Sequence, residues 1–505
     1  MADFVVDKKK IARNTMVLYV RMAFTMVVSF FTARVTLQQL GVDDYGLNNL
    51  VGSVVSLLAF LQNSMGTAVQ RFYSIEIGQQ NVIRLKKVFS TALFLHISIA
   101  IITLGLAEVF AVFILSKMNI PAERLFAAHV VFQISSISLF LSIVSVPYAA
   151  LLRAREDFDK MAMIEIVQSL LRLGILYLLV HVNYDKLITL SLFNFSITII
   201  CTSAMIWLAM QYNETHSRPY KVPEIFRQMM SFVSMLLVST LASLAKTKGL
   251  VLLINLFFGL AINAAYAIAV QVSTVLQTFV ANFKSPMVPQ LMAAYGAGDR
   301  SEMIKIINTS TKVSAILMLL ITMPVIFEAK SILELWLGEP PQYSAELVSL
   351  VLININISQL TFFHYQGIHA TGKITLNQTI LTCLSLIAIL LIFLSFKLGF
   401  SFFSAMYINM IVSVLIVANG IFFSRRNYNY SVWDFLSILA RLLFVVALTI
   451  VCILSLKTYL SPSFARLIVV LCATVFLLSI LSFSFVFSKE ERAYVKNVIR
   501  VIRKK

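Results

Sequence analysis

Apolar runs of about 20 residues recur from one end of this chain to the other, and that is the length at which a helix crosses the hydrocarbon core of a bilayer. Set against their charged interruptions, the runs place fourteen spans near 11–33, 46–70, 88–115, 127–149, 161–181, 187–210, 226–246, 250–280, 303–327, 346–367, 374–396, 401–423, 433–456 and 464–487. The eighth and ninth are long enough to require tilt or bending. Only 13% of the 505 residues are charged and the mean hydropathy is +0.88, far from what a soluble chain of this length needs on its surface. The expected fold is therefore all-α and polytopic. The apolar run that follows Lys8-Lys9-Lys10 extends from about Asn14 to Ala33, too long for a signal-peptide core, and "FFTARV" is a poor cleavage site; it reads as a retained first helix.

Charge placement gives an orientation. With the N-terminus in the cytoplasm, 28 of the 41 Lys and Arg fall on inner segments and 10 on outer ones, leaving Arg21, Arg172 and Arg441 inside spans. This positive-inside bias predicts cytoplasmic N- and C-termini and an even number of crossings. The net charge of +18 then reads as topology and contact with anionic phospholipids. Basic residues spread over many short turns are a poor fit to nucleic acid. The tail "KEERAYVKNVIRVIRKK", 489–505, is a basic anchor, and the outer connection near 328–345, with Trp336 and Pro340-Pro341, is a short interfacial cap.

No connection is long enough to hold a soluble catalytic domain. Cys201, Cys383, Cys452 and Cys472 are scattered singly, and the six histidines, His364 and His369 included, show no metal-ligand spacing. Neither an enzyme nor a metal centre is expected, and no P-loop pattern offers direct ATP drive.

One awkward feature occurs twice. "GVDDYGLNNLVGSVVSLLAFLQNSMGTAVQRFY", 41–73, and "FGLAINAAYAIAVQVSTVLQTFVANFKSPMVPQLMAAYGAGDRSE", 258–302, both thread amides through an apolar helix and end near a glycine-containing turn. A shift of 218 residues sets Gly78 on Gly296. Residues 1–210 hold six spans and 226–423 six more, joined by a linker at 211–225; as both sets begin on the same side, they form parallel repeats. Residues 424–488 add two spans outside the duplication, before the tail.

With six, six and two helices, and with "VTLQQLGVDDYGLNNLVGSVVSLLAFLQNSMGTAVQRFYS" at 35–74 and "FGLAINAAYAIAVQVSTVLQTFVANFKSPMVPQLMAAYGAGD" at 258–299, the chain resembles the polysaccharide exporter and O-antigen flippase branch of the multidrug/oligosaccharidyl-lipid/polysaccharide exporter superfamily. The resemblance implies two six-helix lobes around a central cavity and movement of a polyprenyl-diphosphate-linked glycan from the inner to the outer leaflet, by alternating access. It allows coupling to Na+ or H+ without any cofactor, and glycan-assembly proteins as partners. Multidrug export by the same fold is the alternative, and a nontransporting scaffold a third.

The residues that a bilayer tolerates least are the site candidates. Arg21, Arg172, Arg71, Arg34, Lys246 and Lys248 are candidates for the substrate diphosphate, because guanidinium offers paired donors to phosphate oxygens. For Arg21 an interhelical ion pair and snorkelling stay open, and for Arg34, Lys246 and Lys248 ordinary anchoring at the outer ends of the first and seventh helices. Asn48, Asn63, Gln70, Asn263, Gln271, Gln277, Asn282, Asn354, Asn356 and Gln359 can meet sugar hydroxyls without net charge, or tie helices together. Glu108 and Glu165 are candidates for ion coupling, Pro286 and Pro289 for a hinge, and Gly296 and Gly298 for a tight inner turn.

Overall fold

In hydrocarbon every backbone N–H and C=O must find its partner within the chain, so each apolar run is driven into a helix. The computed structural model describes residues 8–114, 122–182, 184–461, 463–489 and 491–493, and these are helical apart from short connections. The first repeat contains α1 (Lys8–Gly78), α2 (Val82–Ile114), α3 (Leu125–Ala154), α4 (Phe158–Val180) and α5 (Lys186–Ala209). The second contains α6 (Pro223–Lys284), α7 (Met287–Gly296), α8 (Arg300–Phe327), α9 (Ala329–Leu337), α10 (Ser344–Gln359), α11 (Phe362–Thr371), α12 (Thr375–Lys397) and α13 (Phe403–Tyr428). The extra pair is α14 (Val432–Tyr459) and α15 (Phe464–Leu481).

Among the described residues, twelve helical stretches are long and apolar enough to cross a membrane, from Val82–Val109 to Phe464–Val486. They answer one for one to the third through fourteenth expected spans. The first two expected spans both lie in α1, a helix of 71 residues. Many side chains on these stretches stay outside the core, among them Trp207, Leu252, Leu256 and Phe476, all more than 60% exposed. That is the pattern of faces that meet lipid tails, where apolar surface has no need to be covered.

Both repeats open with a helical element of two-span length, and in the second the break differs from the one expected. Lys246, Lys248 and Gly249 read as an outer turn, yet the helix runs through them and breaks at Gly259, whose φ of 77° and ψ of −173° suit glycine alone. Lys246 and Lys248 therefore sit within a helix rather than at its outer end. Gly249 serves packing: a Cβ there would collide with Ile389 Cδ1. The tenth expected span is likewise divided, between α10 and α11 at Leu360-Thr361.

By packing, the chain divides into two units, Met1–Leu237 with Ser285–Asp299, and Val238–Lys284 with Arg300–Lys505. In the first unit α1 packs against α3, α4 and α7, and α3 also against α2 and α5. The contact of α1 with α7 is backbone to backbone. A Cβ on Gly78 would overlap the Ala293 carbonyl, with Ala293 Cα at 2.9 Å, and a Cβ on Gly296 would overlap the Ile75 carbonyl, with Ile75 Cα at 2.9 Å. Gly296 is thus required for close approach and not for the inner turn, which Gly298 makes with φ of 81°. The first-repeat turn is made in the same way by Gln80, with φ of 56°.

In the second unit α10, α11 and α12 pack on α13, and α8 joins the extra pair through Ala315, Ile316, Met323, Ile438, Leu442, Val445 and Leu478. Buried charge fixes both ends of that joint. Glu328, between α8 and α9, pairs with Lys457 of α14 and Arg466 of α15, each at 3.2 Å. At the other end Lys312 of α8 donates to Glu491 at 2.5 and 2.7 Å, and Thr309 Oγ1 donates to it at 3.1 Å. The expected interfacial cap is α9, which exposes Leu335 and Trp336 and ends at Gly338.

Candidate functional site

α1 and α4 start at the same end of the first unit and run alongside each other, so charges at matching depth can meet. Near that end Arg13 lies 3.6 Å from Asp159. Two turns deeper, roughly 10 Å at 1.5 Å of rise per residue, Arg21 Nη1 donates to Glu165 Oε2 at 2.6 Å, with side chains 23% and 37% exposed. Arg172, seven residues further along α4, is exposed, and Glu165 is held by the neighbouring helix.

Arg153, in the last turn of α3, has a buried Nε with no hydrogen-bond partner among the described residues. Glu165 acts on it electrostatically. Its Nη2 would lie 3.1 Å from a Cβ on Gly66, so glycine at that position makes the room it occupies. The Arg21–Glu165 pair is a charged centre in partly wet surroundings. Such a centre can exchange an internal carboxylate for an outside anion.

The other cations of this unit have structural work. Arg124 binds Asp44 and Asp185, each at 2.5 Å, while Asp185 also caps α5 by accepting from the N–H groups of Leu187 and Ile188. Arg155 pairs with the buried Glu214 at 2.5 Å and lies over the Tyr212 ring. Arg71 is buried, with its guanidinium carbon 4.9 Å from the ring centroids of both Phe72 and Phe232. Glu108 is exposed and accepts from Gln133 Nε2 at 2.8 Å. Asn48 and Gln70 are half-buried. Arg34 and Asn63 lie outside the described side chains.

The second unit contains a cation of a different kind. Lys284, the last residue of α6, is 9% exposed; its Nζ donates to Gln359 Oε1 at 3.0 Å and lies 4.1 Å from the Phe362 ring centroid. No carboxylate pairs with it among the described residues. Gln359 closes α10 where that helix breaks, so the chain discontinuity and the buried ammonium coincide. Pro286 follows in the two-residue gap between α6 and α7, and Pro289 is buried within α7. Asn356 Nδ2 donates to Thr322 Oγ1 at 2.8 Å, tying α10 to α8, and Asn282 Nδ2 donates back to Thr278 O at 3.0 Å. Asn263 and Asn354 each hold a buried Oδ1 without a hydrogen-bond partner among the described residues, while Gln271 and Gln277 are exposed. Lys246 is half-buried and Lys248 exposed.

Arg153 and Lys284 were missed as site candidates because each closes an apolar run and counts naturally toward the positive-inside bias. Lys284 offered one signal, its place four residues beyond the expected end of an amide-bearing span and just before Ser285-Pro286. Arg153 offered none, since Gly66 makes room for it from a distant part of the chain. Among the described residues no three His, Cys, Asp or Glu gather as metal ligands.

The MatE family model matches residues 19–178. The fold is shared with solved transporters. A multidrug resistance MATE family transporter of the MOP superfamily, in its outward-facing conformation, is 12% identical over 85% of this chain and 95% of that one, with a TM-score of 0.64. A MOP superfamily transporter from Pyrococcus furiosus, whose reversed binding-pocket polarity suggests a different function, is 13% identical over 85% and 95%, with a TM-score of 0.66. The MATE transporter ClbM in complex with Rb+ is 14% identical over 85% and 96%, with a TM-score of 0.68. No curated protein matches the sequence. The solved transporters share the fold of this chain, and the MatE match covers part of its first half.

Proposed function

We propose that this chain is a flippase that carries a polyprenyl-diphosphate-linked oligosaccharide from the inner to the outer leaflet of the bacterial cytoplasmic membrane, for surface polysaccharide or O-antigen assembly. The observation that carries this reading is the pair of Arg21 and Glu165 at 2.6 Å, only partly exposed and set within otherwise apolar helices. Glu165 is the resident counter-ion of Arg21. A diphosphate displaces it, because two phosphate groups offer more acceptors to the planar guanidinium fork than one carboxylate. As the carboxylate that neutralises Arg21, Glu165 is the place where a coupling cation would act on loading. A carboxylate can take a proton or a sodium ion, so either cation fits.

The glycan needs hydroxyl partners without charge. Gln271 and Gln277 are exposed and can supply them. Both termini lie in the cytoplasm in this reading, which sets the Arg13–Asp159 pair at the inner headgroups and the Arg21 centre about 10 Å deeper. Anionic phospholipids and glycan-assembly proteins are the expected partners.

Proteoliposomes loaded with a lipid-linked oligosaccharide test the reading. Arg21→Ala is expected to slow transbilayer movement about 10- to 150-fold, the loss of one charge-assisted contact of about 1.5–3 kcal/mol. Arg21→Lys recovers part of it, and a lipid with a neutral headgroup is affected little by either. Equal loss for both lipids would make Arg21 a packing residue. Export of cationic drugs that depends on Glu165 would favour the multidrug alternative.

A further inference from the structure

A cation-lined recess in the second unit has no part in that reading. The last turn of α13 presents Arg425 and Arg426, both exposed. The chain then reverses at Asn429, in the left-handed region with φ of 57°. The Asn429 N–H donates to Arg425 O at 3.1 Å and the Tyr430 N–H to Ser424 O at 3.4 Å. The helix end thus has two of its carbonyls occupied by its own backbone. The two guanidiniums are left at the rim, and no carboxylate pairs with either among the described residues. Asp434, in the first turn of α14, forms an ion pair with neither.

Phe422, Arg425, Arg426, Asn429 and Tyr430 line a recess of about 490 Å³. Its floor is fixed, because Tyr430 is buried and its hydroxyl donates to Asn308 Oδ1 of α8 at 2.6 Å. Its position is equally constrained. α13 and α14 are consecutive membrane-crossing helices joined by three residues, so this turn lies at a membrane–water boundary whichever way the chain is oriented. Phe422 at 59% and Trp433 at 80% exposure stand beside it as apolar surface at that boundary.

Two forked cations with exposed aromatic surface beside them match an amphiphile that has a phosphate at one end and hydrocarbon at the other. We propose that the recess binds the phosphodiester headgroup of an anionic phospholipid, the two guanidiniums meeting the phosphate oxygens while the acyl chains run along the lipid-facing sides of α13 and α14. A free phosphate shares the headgroup chemistry but has no use for Phe422 or Trp433. The site depends on the membrane-spanning fold and not on which substrate is transported, so it stands or falls separately from the flippase reading.

The test is native mass spectrometry of the full chain released from bilayers that contain phosphatidylglycerol and phosphatidylcholine. Wild type is expected to retain phosphatidylglycerol selectively. Arg425→Gln with Arg426→Gln should weaken that retention by at least about tenfold, since both charge-assisted contacts are lost. Arg425→Lys with Arg426→Lys should restore part of it, and Lys330→Gln, an exposed cation on α9, should change nothing. Undiminished retention by the glutamine pair overturns the proposal. So does equal retention of both lipids, or displacement of the bound lipid by inorganic phosphate alone. Should the glutamine pair fail to fold, lipid selectivity, phosphate displacement and the lysine pair still decide.

Discussion

Where α1 and α7 end, the repeats behave alike. Gly78 lies against Ala293 and Gly296 against Ile75, and 218 residues separate the two members of each matched position, 75 from 293 and 78 from 296. Each repeat therefore offers the other the same backbone surface, as two copies do across a twofold axis. Their embedded cations differ. Arg21 of the first repeat has a carboxylate at 2.6 Å, whereas Lys284 of the second rests on an amide and an aromatic ring. The matched feature is what a duplicated chain needs to pack on itself; the unmatched ones mark where the repeats diverged, and the proposed substrate centre is among them.

The sharpest way to break the first half of this comparison is to add one carbon at either glycine. Gly78→Ala and Gly296→Ala each drive a methyl into backbone that cannot rotate aside. Each is expected to destabilise by about 3 kcal/mol, the upper part of the usual range for overpacking. Thermal unfolding of the purified protein in detergent measures both. The two losses should match within error, and a neutral substitution at either glycine would break the symmetry.

The second half is sharpened by a smaller effect at Lys284. Gln359→Leu removes the acceptor of a buried ammonium and should cost about 2 kcal/mol. Lys284→Met removes the charge itself at similar volume and should be neutral or stabilising, because the desolvated ion goes with it. The double variant should then recover most of what Gln359→Leu loses, a coupling that a double-mutant cycle reads directly. If Lys284→Met is as damaging as Gln359→Leu, the ammonium has a counter-charge and the contrast with Arg21 fails.

Periodic features of this kind were legible in the sequence and pairwise ones were not. Twelve of the expected spans, the repeat offset that sets Gly78 on Gly296, and α9 as a cap follow from hydropathy and punctuation, which each stretch carries within itself. The Gly259 break was hidden because Lys246, Lys248 and Gly249 gave a stronger turn signal, although a lysine can lie along a helix with its ammonium reaching outward. The pair of Arg21 and Glu165 draws on two helices. Its members could be suspected singly, as Arg21 and Glu165 were, but their meeting is a property of packing.

The smallest expected effect concerns the cations of the second unit that do have carboxylate partners. Burial alone would push the Glu328 carboxyl up, but hydrogen bonds from Arg466, Lys457 and Ser331 outweigh it and hold it below the ordinary carboxylate range. Glu491 is treated alike by Lys312, the Ser488 N–H and Thr309. A carboxylate whose folded pKa is depressed stabilises fully above its unfolded value, about 4.3 for glutamate, and loses that contribution as pH falls through the folded value. Wild-type stability should therefore be flat with respect to these two groups from neutral pH to about 5 and decline below the ordinary glutamate range. Glu328→Gln with Glu491→Gln should already be less stable at neutral pH and should show a shallower acid decline, so the two melting curves converge on acidification. Lys284 has no carboxylate to protonate among the described residues, so Lys284→Met should shift the curve without changing its slope. A change of acid slope in Lys284→Met would show that its ammonium is paired after all, as Arg21 is.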